Sequence, residues 1–237
     1  MDVENLEKAI REKEASLSLA FPALMRKVYV WMLWALTITG VMAYGVASSP
    51  VLVESIFSNQ ALFWVLIIGE LALVFGISRW LNKLSLTMAT LLFILYSALN
   101  GVTLSVIFLA YSPMVITKVF LITASTFGVM AAYGYFTKTD LSKMGKILFM
   151  ALIGLIIATL VNVFLRSPGF DLVISYIGVL VFVGLTAWDT QKIKGMLAQC
   201  EDMNEDAQKI ALMGSLTLYL DFINLFLYLL RIFGRER

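Results

Sequence analysis

The sequence predicts an all-α integral membrane protein with seven transmembrane helices, of which the last is central. Three observations support this fold class. The 237 residues are 60% hydrophobic and only 14% charged, whereas about a quarter of the residues of a soluble domain are charged. Seven apolar segments have close to the length of about 20 residues that a bilayer-spanning helix needs. The seventh segment carries its polar residues on one side only, which indicates a helix surrounded by others.

Short polar breaks separate the predicted spans. Ser48-Ser49-Pro50 ends the first span, Ser112-Pro113 lies between the third and fourth, and Ser167-Pro168-Gly169 lies between the fifth and sixth. The connecting segments are short, so we expect one transmembrane domain, 28–237, preceded by an N-terminal segment, 1–27. The spans are predicted at 28–47, 61–78, 86–111, 115–136, 146–165, 171–188 and 210–231.

The distribution of basic residues predicts the orientation. Placing the N-terminus in the cytoplasm puts thirteen of the eighteen lysine and arginine residues in cytoplasmic segments, as the positive-inside rule favours. The exception is the C-terminal tail with Arg231, Arg235 and Arg237, which seven spans place outside. We therefore expect a cytoplasmic N-terminus.

The composition argues against several classes of function. The chain has no histidine and one cysteine, Cys200, which excludes a histidine-based catalytic triad, a thiolate metal cluster and an intramolecular disulfide. The basic residues lie in loops, and the net charge of +2 gives no indication of nucleic-acid binding. We expect no enzymatic activity and no resident cofactor. The N-terminus does not have the pattern of a signal peptide.

The seventh span, Ile210 to Arg231, contains an aspartate near its middle. Its polar residues are spaced by four, three, four and three positions, which places them on one stripe of a helix. A carboxylate facing lipid costs at least about 2.5–3.5 kcal/mol, so this stripe is expected to face protein or water. An ionisable group inside the membrane is a candidate functional residue. The stripe consists of Thr217, Asp221, Asn224, Tyr228 and Arg231.

A second carboxylate, Asp189, ends the sixth span. It is either an interfacial residue balanced by Lys192 and Lys194, or a partner of Asp221. Two carboxylates that meet in an apolar region cannot both ionise cheaply, so the pair would respond to pH. For untilted helices, however, the two aspartates differ in depth by about 12 Å. The pairing therefore requires a tilted or displaced helix.

Three residues of the second and third spans are further candidates. Arg79 is either a positive-inside anchor or a latch whose guanidinium pairs with the aspartates. Glu70 is unlikely to face lipid and is a candidate for a cation path. Asn100, which lies at helical spacing from Tyr96 and Thr103, either lines the same path or bonds one helix to another. Asn224 of the polar stripe is a candidate for the same path.

The sequence resembles the Bax inhibitor-1 family, also called the transmembrane Bax inhibitor motif family, in its bacterial branch. The two most specific strings are AWDTQKIK at the end of the sixth span and LTLYLDFINLFLYLLRIFG in the seventh. LFILYSALNGVTLS, YGYFTKTDLS and FMALIGLIIATLVNVFL fit the same family. The resemblance implies seven helices arranged around the last one, in agreement with the polar stripe.

The resemblance also implies a function and a site. Family members resemble pH-sensitive calcium leak channels whose gate is an aspartate dyad latched by an arginine. The dyad corresponds here to Asp189 and Asp221, which would also be the ligands of a transient Ca²⁺, and the latch to Arg79. The expected partners are the lipid bilayer, Ca²⁺ and protons, and the expected location is a bacterial inner membrane. The oligomeric state is left open.

Two other functions are considered beside the channel. The protein could regulate a membrane protease or stress-response complex without transporting anything, because some bacterial relatives resemble inhibitors of membrane-bound proteolysis. In that case the charged segment 1–27 would matter most, as an unstructured tail that a partner grips. A proton-coupled transporter is the third possibility. It would need a substrate cavity, and the sequence indicates none.

Overall fold

The computed structural model is a bundle of long helices in which the seven predicted spans are confirmed. It describes the backbone of residues 3–200 and 202–234, and the side chains of residues 20–200 and 202–234. Arg235 and Arg237 of the predicted outer tail lie outside the described residues. In the described chain the helices are α1 Val3–Ala47, α2 Pro50–Phe57, α3 Gln60–Trp80, α4 Leu86–Leu104, α5 Val106–Ala110, α6 Pro113–Phe136, α7 Ser142–Leu165, α8 Pro168–Leu197 and α9 Glu205–Phe233.

The polar breaks in the sequence become helix caps. The Ser49, Ser112 and Ser167 hydroxyls each accept a hydrogen bond from a backbone N–H in the first turn of the following helix, and a proline follows each serine. Serine is a favoured N-cap, and proline fits the first helical position because its missing N–H would have no partner there. These short signals therefore fix where α2, α6 and α8 begin.

The first helix extends well beyond its predicted span. α1 runs without interruption from Val3 through Pro22 to Ala47, and Ala20, Leu24 and Met25, which precede the predicted span, are already buried in the core. The boundary predicted between residues 27 and 28 thus falls inside one helix. The N-terminal segment is helical from Val3, so the unstructured tail assumed for a regulatory protein is wrong.

Helix α9 is the centre of the bundle, as predicted. It is the most deeply buried of the seven spans and packs against α8, α1, α6 and α4. Leu218, Tyr219 and Leu225 on α9 are completely buried. The core therefore surrounds the last helix, and whatever its polar stripe faces lies inside the protein.

Helices α3 and α7 lie at the periphery. They are the least buried of the spans. Most of the packing of α3 is with α4, and α7 packs on α8. Because so little of either surface is covered by protein, both helices present large apolar side chains outward, as lipid-facing helices do.

Candidate functional site

A large cavity lies against the polar stripe of α9. Its volume is about 970 Å³, and it is bounded by α3, α4, α7, α8 and α9. Thr217, Asp221, Asn224 and Tyr228 all line it, so the stripe faces the space between the packed helices, as predicted. The fifth member of the stripe, Arg231, pairs at 3.7 Å with Asp171 at the far end of α8. The site is therefore built on the buried face of the central helix.

Asp189 and Asp221 meet in this cavity. Their carboxyl groups lie close enough to interact directly, and both residues are buried, with 7% and 5% of their surface exposed. Two carboxylates in contact inside a membrane protein favour a state in which they share one proton, since two adjacent buried negative charges repel each other. A proton or a cation held between the two carboxylates would relieve that repulsion.

The lengths of the helices explain how the two aspartates reach the same depth. Asp189 lies eight residues before the end of α8, whereas Asp221 lies sixteen residues after the start of α9. For antiparallel helices, the start of α9 then extends about 12 Å beyond the end of α8. The linker between the two helices, residues 198–204, is long enough to span that offset.

One oxygen of the pair has an unusual environment. Oδ2 of Asp221 is buried and, among the described residues, receives no hydrogen bond from a donor group. A buried polar atom without a partner is costly. A proton or a cation at the carboxylate pair would remove that cost, which makes the pair a natural place for either one.

The cation next to the pair is Lys192. It lines the same cavity, lies three residues after Asp189 on α8, and acts electrostatically on the Asp189 carboxylate. Its ammonium is held 5.0 Å from the centre of the Trp188 ring, within the range of a cation–π contact. Gly145 at the start of α7 leaves room for that ring, because a Cβ at Gly145 would overlap the indole.

Arg79 does not contact the aspartates in this structure. It is exposed near the end of α3 and does not line the cavity. The structure pairs it with no carboxylate among the described residues. The latch assigned to Arg79 is therefore not formed in this arrangement, and its role stays a prediction. Lys194, the other lysine near Asp189, donates a 2.7 Å hydrogen bond to the Tyr135 carbonyl instead.

Glu70 lines the cavity from α3 and is fixed by hydrogen bonds from α4. Asn100 Nδ2 donates to Glu70 Oε2 at 3.2 Å, and Thr103 Oγ1 donates to Oε1 at 2.9 Å. Tyr219 Oη in turn donates to Asn100 Oδ1 at 3.0 Å. Asn100 thus bonds α3, α4 and α9 together and does not line the cavity. This supports the interpretation that Asn100 joins helices rather than lining a cation path.

The polar network ends on α1. Thr39 Oγ1 lies 2.7 Å from Tyr219 Oη, and because the Tyr219 hydroxyl donates to Asn100, Thr39 donates to Tyr219. Sequence reasoning missed Tyr219 and Thr39, because a single tyrosine or threonine in an apolar span gives no signal of its partner. The sequence showed that Lys192 lies three residues after Asp189. From that spacing we predicted only that the lysine balances the charge of Asp189 at the membrane interface.

The site offers few ligands to a tightly bound metal ion. Asp189 and Asp221 are together, but among the described residues no group of three or more histidine, cysteine, aspartate or glutamate side chains is placed to hold a metal. Protein sites that retain Ca²⁺ supply six to eight oxygens.

Comparison with known proteins gives consistent results over most of the chain. A family model described as inhibitor of apoptosis-promoting Bax1 matches residues 22–237. The inner membrane protein YbhL of Escherichia coli (strain K12) is 50% identical over 214 residues, which cover 90% of this chain and 92% of that protein. An uncharacterized protein of Borreliella burgdorferi is 49% identical over 213 residues, covering 90% and 92% of the two chains. The uncharacterized protein RP147 of Rickettsia prowazekii is 42% identical over 213 residues, covering 90% and 89%.

Proposed function

This chain belongs to the Bax inhibitor-1 family, and we propose that it is a pH-sensitive passive Ca²⁺ leak channel of the bacterial inner membrane. The observation that carries the proposal is the contact between Asp189 and Asp221 in a large cavity against the central helix. The membrane assignment draws on the relative in Escherichia coli, whose name describes an inner membrane protein.

In this proposal, a change in the charge of the carboxylate pair opens and closes the gate. When the pair is fully ionised, it attracts nearby cationic side chains and holds the helices that carry them. When it takes up a proton, that attraction weakens by the Coulomb energy of one charge in a partly buried site. Opening then requires only a small displacement of α3. This helix is little buried and packs mainly against α4, so a displacement breaks few contacts.

Two basic residues are assigned to this gate. Lys192 is close to Asp189 in the present arrangement, and we propose that it balances the pair while the latch is open. Arg79 lies near the end of α3 and is proposed to reach the ionised pair when α3 moves inward. The present structure, with Arg79 exposed, then corresponds to the unlatched arrangement.

The ion is assigned by chemistry and by family. Carboxylate and carbonyl oxygens are the ligands that Ca²⁺ prefers, and Glu70 and Asn224 line the cavity together with the pair. These groups would also accept other cations. The choice of Ca²⁺ among these cations rests on the family resemblance. The proposal that the flow is passive rests on the same resemblance.

The proposal is tested by measuring Ca²⁺ entry into dye-loaded proteoliposomes of the purified protein from about pH 5 to pH 8, a range that spans physiological pH. Flux that rises as pH falls, is lost in Asp221→Asn and is kept in Asp202→Asn would support the channel. Asp202 is a matched control because it is an exposed aspartate between α8 and α9. The absence of flux above that of empty liposomes at every pH would contradict the proposal.

A second candidate function is supported by the length of α1. The helix begins about 17 residues before Ala20, which corresponds to about 26 Å of helix ahead of the membrane span. Such an extension could dock a membrane protease or another stress-response complex. Deleting residues 1–20 separates the two candidates, since a channel would still conduct and a regulator would lose its effect on its partner.

A further inference from the structure

The cavity against α9 has walls and a floor of opposite chemistry. The walls come from the two peripheral helices, with Leu71 and Phe75 on α3 and Phe149 and Ile156 on α7. These four side chains are 53–67% exposed, so the walls continue onto the lipid-facing surface. α3 and α7 share no extensive contact. The cavity therefore opens sideways, toward the bilayer, between these two helices.

The floor of the cavity is acidic. It holds three carboxyl groups, those of Glu70, Asp189 and Asp221, and one ammonium, that of Lys192. If the two aspartates share one proton, the floor still carries two negative charges against one positive charge. Lys192 is held against Trp188, and Oδ2 of Asp221 receives no hydrogen bond from the described donors. The floor therefore holds more carboxyl groups than cations, and one of its buried carboxylate oxygens has no hydrogen-bond donor among the described residues.

We infer that this cavity is a binding site for a membrane-partitioned amphiphilic amine, a molecule with a protonated amino group and an apolar chain or ring system. Such a molecule enters between α3 and α7, lays its apolar part along the walls, and directs its ammonium to the carboxylate pair and Glu70. An alkylammonium supplies up to three hydrogen-bond donors and one positive charge, so it would offset the excess of carboxylates and give Oδ2 of Asp221 a donor. The volume of about 970 Å³ lies within the range of roughly 300–1,000 Å³ of small-molecule sites.

The charge of the floor also selects against common lipids. A phospholipid head group would bring a phosphate next to Glu70 and the aspartates, where like charges repel each other. An alkyl alcohol has the apolar chain but no charge to compensate the carboxylates. Recognition therefore depends on a cationic head without an accompanying anion. The inference does not depend on ion conduction, because it concerns occupancy of the cavity.

The experiment uses the full-length protein in phosphatidylcholine nanodiscs and a dodecylamine probe that carries a photoreactive diazirine at the end of its chain. Cross-linked peptides are identified by mass spectrometry, with the matching dodecanol probe as a comparison. We expect the amine probe to label α3 and α7 on both sides of the opening, and an excess of unlabelled dodecylamine to reduce that labelling at least fivefold. Asp221→Asn and Glu70→Gln should each reduce it about threefold or more.

The control variant is Glu54→Gln. Glu54 lies on α2, is exposed and does not line the cavity, so this variant should be labelled like the wild type. Thermal stability of each variant shows whether it is folded. If Asp221→Asn does not fold, Glu70→Gln still tests the inference. Ca²⁺ flux is measured on the same preparations, so that failure of the channel and failure of the amine site are told apart.

Three outcomes would overturn the inference. Equal labelling by the alcohol and amine probes would mean an apolar crevice without charge recognition. Labelling that is unchanged in both carboxylate variants would mean that the acidic floor plays no part. Displacement of the amine probe when phosphatidylethanolamine replaces phosphatidylcholine in the nanodisc would assign the cavity to a zwitterionic lipid.

Discussion

The ammonium of Lys192 acts electrostatically on the carboxylate of Asp189, three residues earlier on α8, and lies 5.0 Å from the centre of the Trp188 ring in the same cavity. This relationship places a fixed positive charge next to the pair formed by Asp189 and Asp221. A nearby cation favours the ionised form of a carboxylate. In the proposed gate, we therefore expect Lys192 to influence the pH at which the pair takes up a proton.

Replacing Lys192 by glutamine is expected to move the pH of half-maximal flux upward by about 0.5 to 1 unit. Without the ammonium, the pair keeps its proton at higher pH, so the protonated, conducting state extends toward neutrality. The other charged groups at this site, Glu70 and the two aspartates, are unchanged. The measurement is the pH profile of Ca²⁺ flux in proteoliposomes.

The matched control for that variant is Lys194→Gln. Lys194 lies two residues further along the same helix but bonds to the Tyr135 carbonyl and does not line the cavity. Its profile should remain at the wild-type position. A Lys192→Gln profile that coincides with the wild type would show that this lysine has no part in setting the response.

Replacing Arg79 by glutamine is expected to raise flux at about pH 7.5 toward the level seen in acid, because loss of the guanidinium removes the proposed latch on the ionised pair. Flux in acid should not change, since the latch is already released there. The two values are compared in one preparation. If flux at neutral pH stays at the wild-type level, the latch assignment is wrong and Lys192 is the remaining cationic partner.

Glu70→Gln is expected to lower the amplitude of Ca²⁺ flux several-fold and to leave the pH of half-maximal flux in place. Glu70 lines the cavity but bonds to Asn100 and Thr103, not to the aspartates, so it contributes charge to the path rather than to the sensor. Flux measured across the pH range separates amplitude from midpoint. A displaced midpoint would instead make Glu70 part of the sensor.

Gly134→Ala is expected to destabilise the protein by about 1–3 kcal/mol, the usual cost of overpacking a close contact. A Cβ at Gly134 on α6 would overlap the carbonyl oxygen of Ala187 on α8, two residues from Asp189, and backbone cannot move aside as a side chain can. Thermal unfolding in detergent measures the effect. Gly128→Ala on the same helix is the control, because a Cβ there meets open space; equal loss in both variants would contradict the packing argument.

The periodicity of the sequence predicted the spans and the orientation of the polar stripe, because both depend on local properties. Segment length and hydropathy determine whether a helix can cross a bilayer. The cost of exposing Asp221 to lipid determines which way the stripe of α9 faces. Neither prediction required knowledge of how the helices pack, and the structure confirms both.

The contact between the two aspartates could not be derived in the same way. Counting residues places Asp189 and Asp221 at different depths, and the structure resolves the difference through the offset between the ends of α8 and α9. That offset depends on tertiary packing. The cavity is likewise a gap between α3, α7 and the core, and no local pattern in the sequence records a gap.

The position of Arg79 and the partners of Asn100 depend on neighbouring helices as well. α3 is held mostly through α4, so the position of Arg79 depends on how these two helices pack. The bonds of Asn100 reach Glu70 thirty residues earlier and Tyr219 on the last helix. The sequence indicated Glu70 and Asn100 as polar candidates, but the hydrogen bond between them arises only in the folded protein.

The most direct test of the account is a double-mutant cycle on the pair, with flux measured from about pH 5 to pH 8 for Asp189→Asn, Asp221→Asn and the double variant. If the two carboxylates titrate as one unit, each single variant loses the pH dependence of the flux, and the double variant loses no more than either single one. A single variant that keeps the wild-type pH profile would contradict the shared proton, and with it the proposed gate.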